Sequence, residues 1–363
     1  MSVAIKSPSL YIQGFNELAK LGTHAKKLGN KFFILCTGNT RKRIEEAVSQ
    51  SLKESEKDFS WCAFSGKCTK EEIARVMEEC RASGADVVLG AGGGTAVDTA
   101  KAAADNLDLP LVIVPTIASN DAPCSAIAVI YNDQGVVVKA QMIKQNPNIV
   151  LVDTAVIAKA PARLFAAGIG DALATWFEAR AVHASKARTM ARAQCSNSAL
   201  SMAKLCFDIL MQDGVQAYND VKQGNASPAV ENVVEATIFL SGLGFESGGL
   251  AAAHAINDSL VYLPGSKEMY HGERVAFGTL VQLVLEKTPA AELEKVMQLM
   301  KEVNLPMSLA QLGASTPVDD ATLTKVAEAA CVPTQSTKNM PFPVSVEDVL
   351  KAIKETDRLG SSF

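Results

Sequence analysis

The stretch ADVVLGAGGGTAVDTAKAAA, residues 85–104, decides the fold of this chain. Val87, Val88 and Leu89 form a short apolar run that breaks into Gly90, Ala91, Gly92, Gly93 and Gly94, after which 95–104 supply helix formers without a proline. The order is strand, glycine turn, helix. Glycines without Cβ atoms let backbone N–H groups approach an anion, and the free N–H groups of a helix's first turn carry partial positive charge toward the same point. A phosphate or pyrophosphate is the natural occupant. The plainer alternative is a tight turn that packs a helix on a sheet, but four glycines in five residues favour phosphate. The G-x-G-x-x-G spacing fails, because Thr95 stands where its last glycine would fall, and the turn follows other strands instead of opening the first βα unit. The segment predicts a nucleotide loop of another design.

Upstream, KFFILC (31–36) reads as a buried strand, followed by a polar turn from Thr37 and a helix with Ile44, Val48 and Leu52 at spacing four. Residues 59–64 form another strand, and Thr69 with Glu72 makes a capping box before Ile73, Val76, Met77 and Cys80. Downstream, 109–114 is a strand ending in Pro115 and Thr116, 125–131 and 136–140 form a hairpin, and 149–152 is one more strand. This alternation predicts a parallel sheet with helices on both faces, a Rossmann-like α/β domain whose ligand residues collect beyond the carboxyl ends of the strands. Thr37, the glycine turn and the segment from Thr116 to Asp121 belong there. Past Pro161 the strand-like runs stop and helical spacing continues to the end, so a boundary divides an α/β domain, 1–160, from an all-α domain, 161–363. Residues 213–230, with Gly214, Gly224 and Pro228, read as a connection between helices.

With 363 residues, 48% of them apolar and 20% charged, the chain is long enough for two domains. A net charge of −4 argues against nucleic acid as a partner. No apolar run approaches the length that spans a bilayer and no signal peptide is evident, so no membrane partner and a cytoplasmic location are expected. Eight cysteines without a C-x-x-C pair read as reduced side chains in apolar surroundings.

Asp171, His254 and His271 stand out in the helical half. Singly, each has a plainer reading: a cap or first-turn acid after two glycines, a core histidine on an alanine-rich helix, a surface histidine. Together, two imidazoles and a carboxylate suffice for a catalytic divalent metal with positions left open for substrate.

The chain resembles the glycerol dehydrogenases within the iron-containing alcohol dehydrogenase superfamily, through YIQG (11–14), GGG (92–94) with DTAKA (98–102), VPTIAS and DAPCSA within 114–126, IVLVDT (149–154), APARL and AAGIGDALATWFEAR within 160–180, GFESGGLAAAHA (244–255) and YHGERVAFGTL (270–280). The resemblance implies the dehydroquinate synthase-like / iron-containing alcohol dehydrogenase architecture, with dinucleotide bound by the first domain, metal and substrate by the second, and an active site in the cleft between them. It implies zinc, with iron as the alternative, held by Asp171, His254 and His271, and Asp121 beside the hydroxyls of a small polyol. Catalysis falls to Asp121, His254 and His271. Along the cofactor it places Thr37, Gly92, Gly93, Gly94, Thr95, Asp98, Thr116, Ser119, Ser125, Ile127 and Tyr131. The implied reaction carries hydride from glycerol or a similar vicinal diol to NAD, in a homo-oligomer, commonly an octamer. A diol offers the metal two oxygens, a physical reason to prefer it over ethanol.

Three positions depart from the resemblance. Thr37 replaces an acid that would accept hydrogen bonds from the ribose, Thr95 replaces a lysine beside the phosphates, and Asn257 replaces a histidine three residues past His254. These leave NADP as an alternative to NAD. They also leave two rival functions: a 2-oxo acid or hydroxy acid reductase on the same scaffold, and a non-catalytic dinucleotide-binding protein.

Overall fold

Strands β1 (Leu10–Gly14), β2 (Lys31–Cys36), β3 (Asp58–Ala63), β4 (Val87–Gly92), β5 (Leu111–Pro115) and β8 (Ile149–Asp153) form a six-stranded sheet in the order β1-β8-β5-β4-β2-β3, every pair parallel. The computed structural model describes residues 2–135, 137–315 and 317–363. β4 and β5 are buried along their whole length, as their unbroken apolar runs require of central strands covered on both faces. β1 and β3, at the two edges, are only partly buried.

Helices α1 (Leu21–Ala25), α2 (Gly38–Glu54), α3 (Lys70–Ser83), α4 (Gly94–Leu107) and α5 (Thr154–Ile157) connect the strands or follow them. Ile44, Val48 and Leu52 of α2 pack with Phe32, Ile34, Val87 and Leu89 in one apolar cluster, the face expected from their spacing. After β2 the chain runs to β3 at the edge, then returns to the other side of β2 as β4 and continues to β5. The direction of winding therefore reverses between β2 and β4, the place where open α/β sheets bind ligands. β6 (Ile127–Tyr131) and β7 (Val137–Met142) form the expected antiparallel hairpin, separate from the sheet. Val136, where its second arm was expected to start, lies outside the described residues.

The rest is helical: α6 (Ala162–Ser185), α7 (Asn197–Lys222), α8 (Pro228–Val234), α9 (Ser241–Gly248), α10 (Ala252–Ser259), α11 (His271–Leu285), α12 (Ala290–Glu302), α13 (Asp320–Ala330) and α14 (Val346–Ser362), with a π-helical segment Glu235–Leu240 before α9. The expected connection at 213–230 is shorter than that. α7 continues through Gly214, which packs on Leu299, so a packed glycine stays helical despite its poor propensity.

Two compact units result. One holds Ser7–Ala160 and Asp220–Val234; the other holds Met1–Lys6, Pro161–Asn219 and Glu235–Phe363. The chain passes between the units after Lys6 and at Pro161, Asp220 and Glu235. Glu231 of α8 anchors the excursion of 220–234: it accepts from Gln13 Nε2 at 2.9 Å and from the Thr154 hydroxyl at 2.5 Å. Among the described residues no helix is long and apolar enough to cross a membrane.

Candidate metal centre and dinucleotide turn

In the α/β unit Leu35 pairs with Gly90 and Gly92 with Pro115, so Thr37, Gly93 and Thr116 leave three adjacent strands at one level. Gly93 caps α4 and Gly94 is its first residue. Gly92 has φ +149°, and a Cβ on Gly93 would stand 2.7 Å from the Ile117 side chain, so the turn tolerates no side chains. The N–H groups of α4's first turn are thereby presented at the winding reversal. Thr95 is exposed and Thr116 buried, its N–H bonded to Gly92 O at 3.1 Å.

Thr37 caps α2: its hydroxyl oxygen accepts from Thr40 N–H at 3.2 Å. One turn on, Arg41 is engaged by Glu45 at 2.6 Å and lies 5.0 Å from the centre of the Trp61 ring. Ser119 and Asp121 are half-buried in the loop after β5. Asp98, Ser125 and Ile127 gather instead around the buried Lys101, and Tyr131, at the end of β6, packs against the cluster of Cys68, Ile73 and Ala128.

The helical unit brings Asp171, His254 and His271 together. Their ligand atoms all lie within 4.8 Å of one another, with His254 Nε2 at 3.6 Å and His271 Nε2 at 3.2 Å from Asp171 Oδ1. Asp171 does not start a helix as its two flanking glycines suggested; it is buried in the interior of α6. Gly170 serves a helix crossing, a Cβ there standing 2.5 Å from Gly272 O of α11. Gly272, next to His271, has the Ala167 carbonyl and the Asp171 N–H so close that a Cβ would collide with α6, and this backbone approach sets the start of α11 against Asp171.

His254 is held by a residue the sequence reading passed over. Glu178, fully buried, lies seven residues after Asp171 and therefore on the same face of α6 two turns along. Its Oε2 is 2.5 Å from His254 Nδ1, and its Oε1 accepts the N–H groups of Ala251 and His254 at 2.8 and 3.0 Å. The spacing of seven in DALATWFE was the available signal. A carboxylate on Nδ1 leaves Nε2 as the ligating nitrogen. His271 is set by a second ion pair, in which Arg163 binds Glu273 at 2.6 and 2.9 Å while Glu273 accepts Tyr270 N–H at 2.8 Å.

Burial pushes the Asp171 carboxyl up, and the imidazoles of His271 and His254 more than reverse this, holding it well below the usual carboxylate range. Burial pushes His254 down, and Glu178 and Asp171 more than reverse that, so it sits well above the usual imidazole range. Two imidazole nitrogens and one carboxylate oxygen, the set that gathers among the described residues, would suit zinc or ferrous iron with open positions. Asn257, three residues past His254, accepts from Arg274 Nε at 3.2 Å and donates to Asp258 at 3.0 Å, so it braces Arg274 at the position where the resemblance would put a histidine.

The sequence model described as iron-containing alcohol dehydrogenase matches residues 8–154. Over 363 residues the chain is 44% identical to the glycerol dehydrogenase of Pseudomonas putida, covering 100% of this chain and 99% of that one. It is 40% identical to the glycolaldehyde reductase of Halobacterium salinarum, covering 99% and 98%. Among solved structures, the glycerol dehydrogenase from Schizosaccharomyces pombe superposes with a TM-score of 0.95 at 34% identity, covering 99% of this chain and 92% of that chain.

Proposed function

The chain belongs to the iron-containing alcohol dehydrogenase family, and from that premise we propose that it oxidises glycerol or a similar vicinal diol, passing hydride from the carbinol carbon to NAD. The observation that carries this reading is the gathering of Asp171, His254 and His271 within 4.8 Å, with Glu178 fixing one of the imidazoles. A divalent metal held there would supply Lewis-acid stabilisation of the negative charge left on the carbinol oxygen when the hydroxyl releases its proton, the charge that then becomes the carbonyl bond as hydride leaves the carbon.

The chain's own residues do the rest. Asp171 and the two Nε2 atoms would hold the metal, three protein ligands that leave coordination positions for the diol. The α4 N-terminus, opened by Gly92, Gly93 and Gly94, takes the pyrophosphate. Asp121 orients the substrate hydroxyls. Its replacement in Asp121→Asn is expected to raise KM for glycerol or lower kcat by about tenfold, the scale of one hydrogen bond to a charged group, with metal content unchanged. Metal loss in that variant would make Asp121 a ligand instead.

The function is tested by steady-state rates on glycerol, other diols and 2-oxo acids, each with NAD and NADP. Turnover of glycerol with NAD supports the proposal, and dinucleotide binding without oxidation of any diol in the presence of zinc overturns it. Arg41, already committed to Glu45 and Trp61, favours NAD over a cofactor with a 2′-phosphate. Thr37 lacks the charge that would repel that phosphate, so discrimination should be looser than an acid there would give. Thr37→Asp is expected to raise the NAD to NADP ratio of kcat/KM by roughly tenfold or more, since a like charge set against a phosphate is strongly disfavoured. An unmoved ratio, or wild-type rejection of NADP by orders of magnitude, would show that Thr37 does not face the ribose.

A further inference from the structure

Lys101 is fully enclosed in the α/β unit. An ammonium withdrawn from water is costly unless its donors are met and its charge is countered. Here Nζ donates to Ala122 O at 2.5 Å, Ile127 O at 2.8 Å and Ser125 Oγ at 3.0 Å, and Asp98 Oδ1 faces it at 3.5 Å. All three close acceptors lie on the segment that follows β5 and enters the hairpin. Asp98 holds the same segment one step further along, its Oδ2 accepting Val129 N–H at 3.0 Å.

Gly94, Asp98 and Lys101 recur at four and then three residues, so they share one face of α4. The segment lies against that face at all three positions. Asn120 packs so close over Gly94 that a Cβ there would come within 2.8 Å of its Nδ2, while Val129 sits at Asp98 and residues 122–127 at Lys101. The helix that begins at the glycine turn therefore carries, two turns in, a cation fastened beneath the loop that carries Asp121.

We infer that Lys101 is a positioning residue: its buried ammonium ties the 121–127 loop to the phosphate-binding helix and so sets how tightly the chain holds its dinucleotide. The inference rests on the reading of the glycine turn as the dinucleotide site. Lys101 acts through the loop, because its donors are spent on Ala122, Ser125 and Ile127. A side chain that merely filled space would be replaced without loss by an apolar one of similar length.

The test is Lys101→Met, together with Lys101→Met/Asp98→Asn, which also removes the carboxylate left without its cation. Three quantities are measured on the folded proteins: the Kd for NAD by titration, amide hydrogen exchange across 118–129, and zinc content. Loss of a charge-assisted tether is expected to raise the Kd about tenfold or more and to speed exchange at Ile127 and Val129, with zinc content unchanged. A purely structural role would lower Tm and leave the Kd per folded molecule where it was. Wild-type Kd and wild-type exchange in either folded variant overturn the inference. A wild-type chain that binds neither NAD nor NADP overturns the underlying reading, and the inference with it.

Discussion

His271→Ala is expected to strip most of the zinc and to lower kcat on glycerol by about a thousandfold, since the metal's stabilisation of developing charge is worth several kcal/mol and each 1.36 kcal/mol is a factor of ten. The fold and dinucleotide binding should survive. His271 is the first residue of α11 and its side chain is 40% exposed, so its removal opens no core cavity. The glycine turn belongs to the other unit, whose strands and glycines are untouched. His254→Ala should lose metal and rate to the same extent but also lose stability, because it strands the buried Glu178 carboxylate. The check is metal content by mass spectrometry beside kcat and a thermal melt. Metal content and rate near wild type in His271→Ala would show that the triad is not the metal site.

Glu178→Gln should weaken zinc binding by roughly ten- to a hundredfold with little change in shape, the effect found when the partner of a ligating histidine is altered. The physical reason is tautomeric. Glu178 Oε1 is bound to two backbone N–H groups, which fixes that position as an acceptor and leaves the second position facing His254 Nδ1. A glutamine oriented by those N–H groups must turn its NH2 toward Nδ1. The imidazole then keeps its proton on Nε2, the atom that faces Asp171, and cannot ligate. Glu178→Ala adds the cost of two unmet N–H groups, about 1–3 kcal/mol each, so it should melt earlier as well. Chelator competition separates the two effects. If Glu178→Gln holds zinc as tightly as wild type, the contact with Nδ1 does not select the tautomer.

Much of the sheet was legible because its central strands are continuous apolar runs bounded by polar turns. The strand expected at 31–36 is β2 itself, those at 59–64 and 109–114 are displaced by no more than two residues, and the hairpin forms as read. β1 gave no such signal, since an edge strand that is only half-buried needs no apolar run. Glycines misled twice. Those before Asp171 looked like a helix start and Gly214 looked like a break, yet all lie within helices, and at Gly170 and Gly214 a neighbour packs closely, a tertiary reason invisible in local pattern.

The triad could not be assembled from spacing, because its members lie far apart in the chain; only the resemblance named them together. Glu178 was readable in principle from its position two turns after Asp171. Lys101 was not, because a lysine in an alanine-rich helix ordinarily faces water.

The placement of Asp220–Val234 in the α/β unit also governs the order in which the protein can be finished during synthesis. The strands have all been made by residue 153, but the segment that bonds to Gln13 and Thr154 through Glu231 is not. It follows Ala160 by roughly 70 residues, about 4–15 s at ordinary translation rates. During that interval α6 and α7 have left the ribosome while the patch around Gln13 and Thr154 waits, and α6 already carries Asp171 and Glu178 without the histidines they will face. The nascent chain thus holds both its units open until late, and neither is complete before the other has begun.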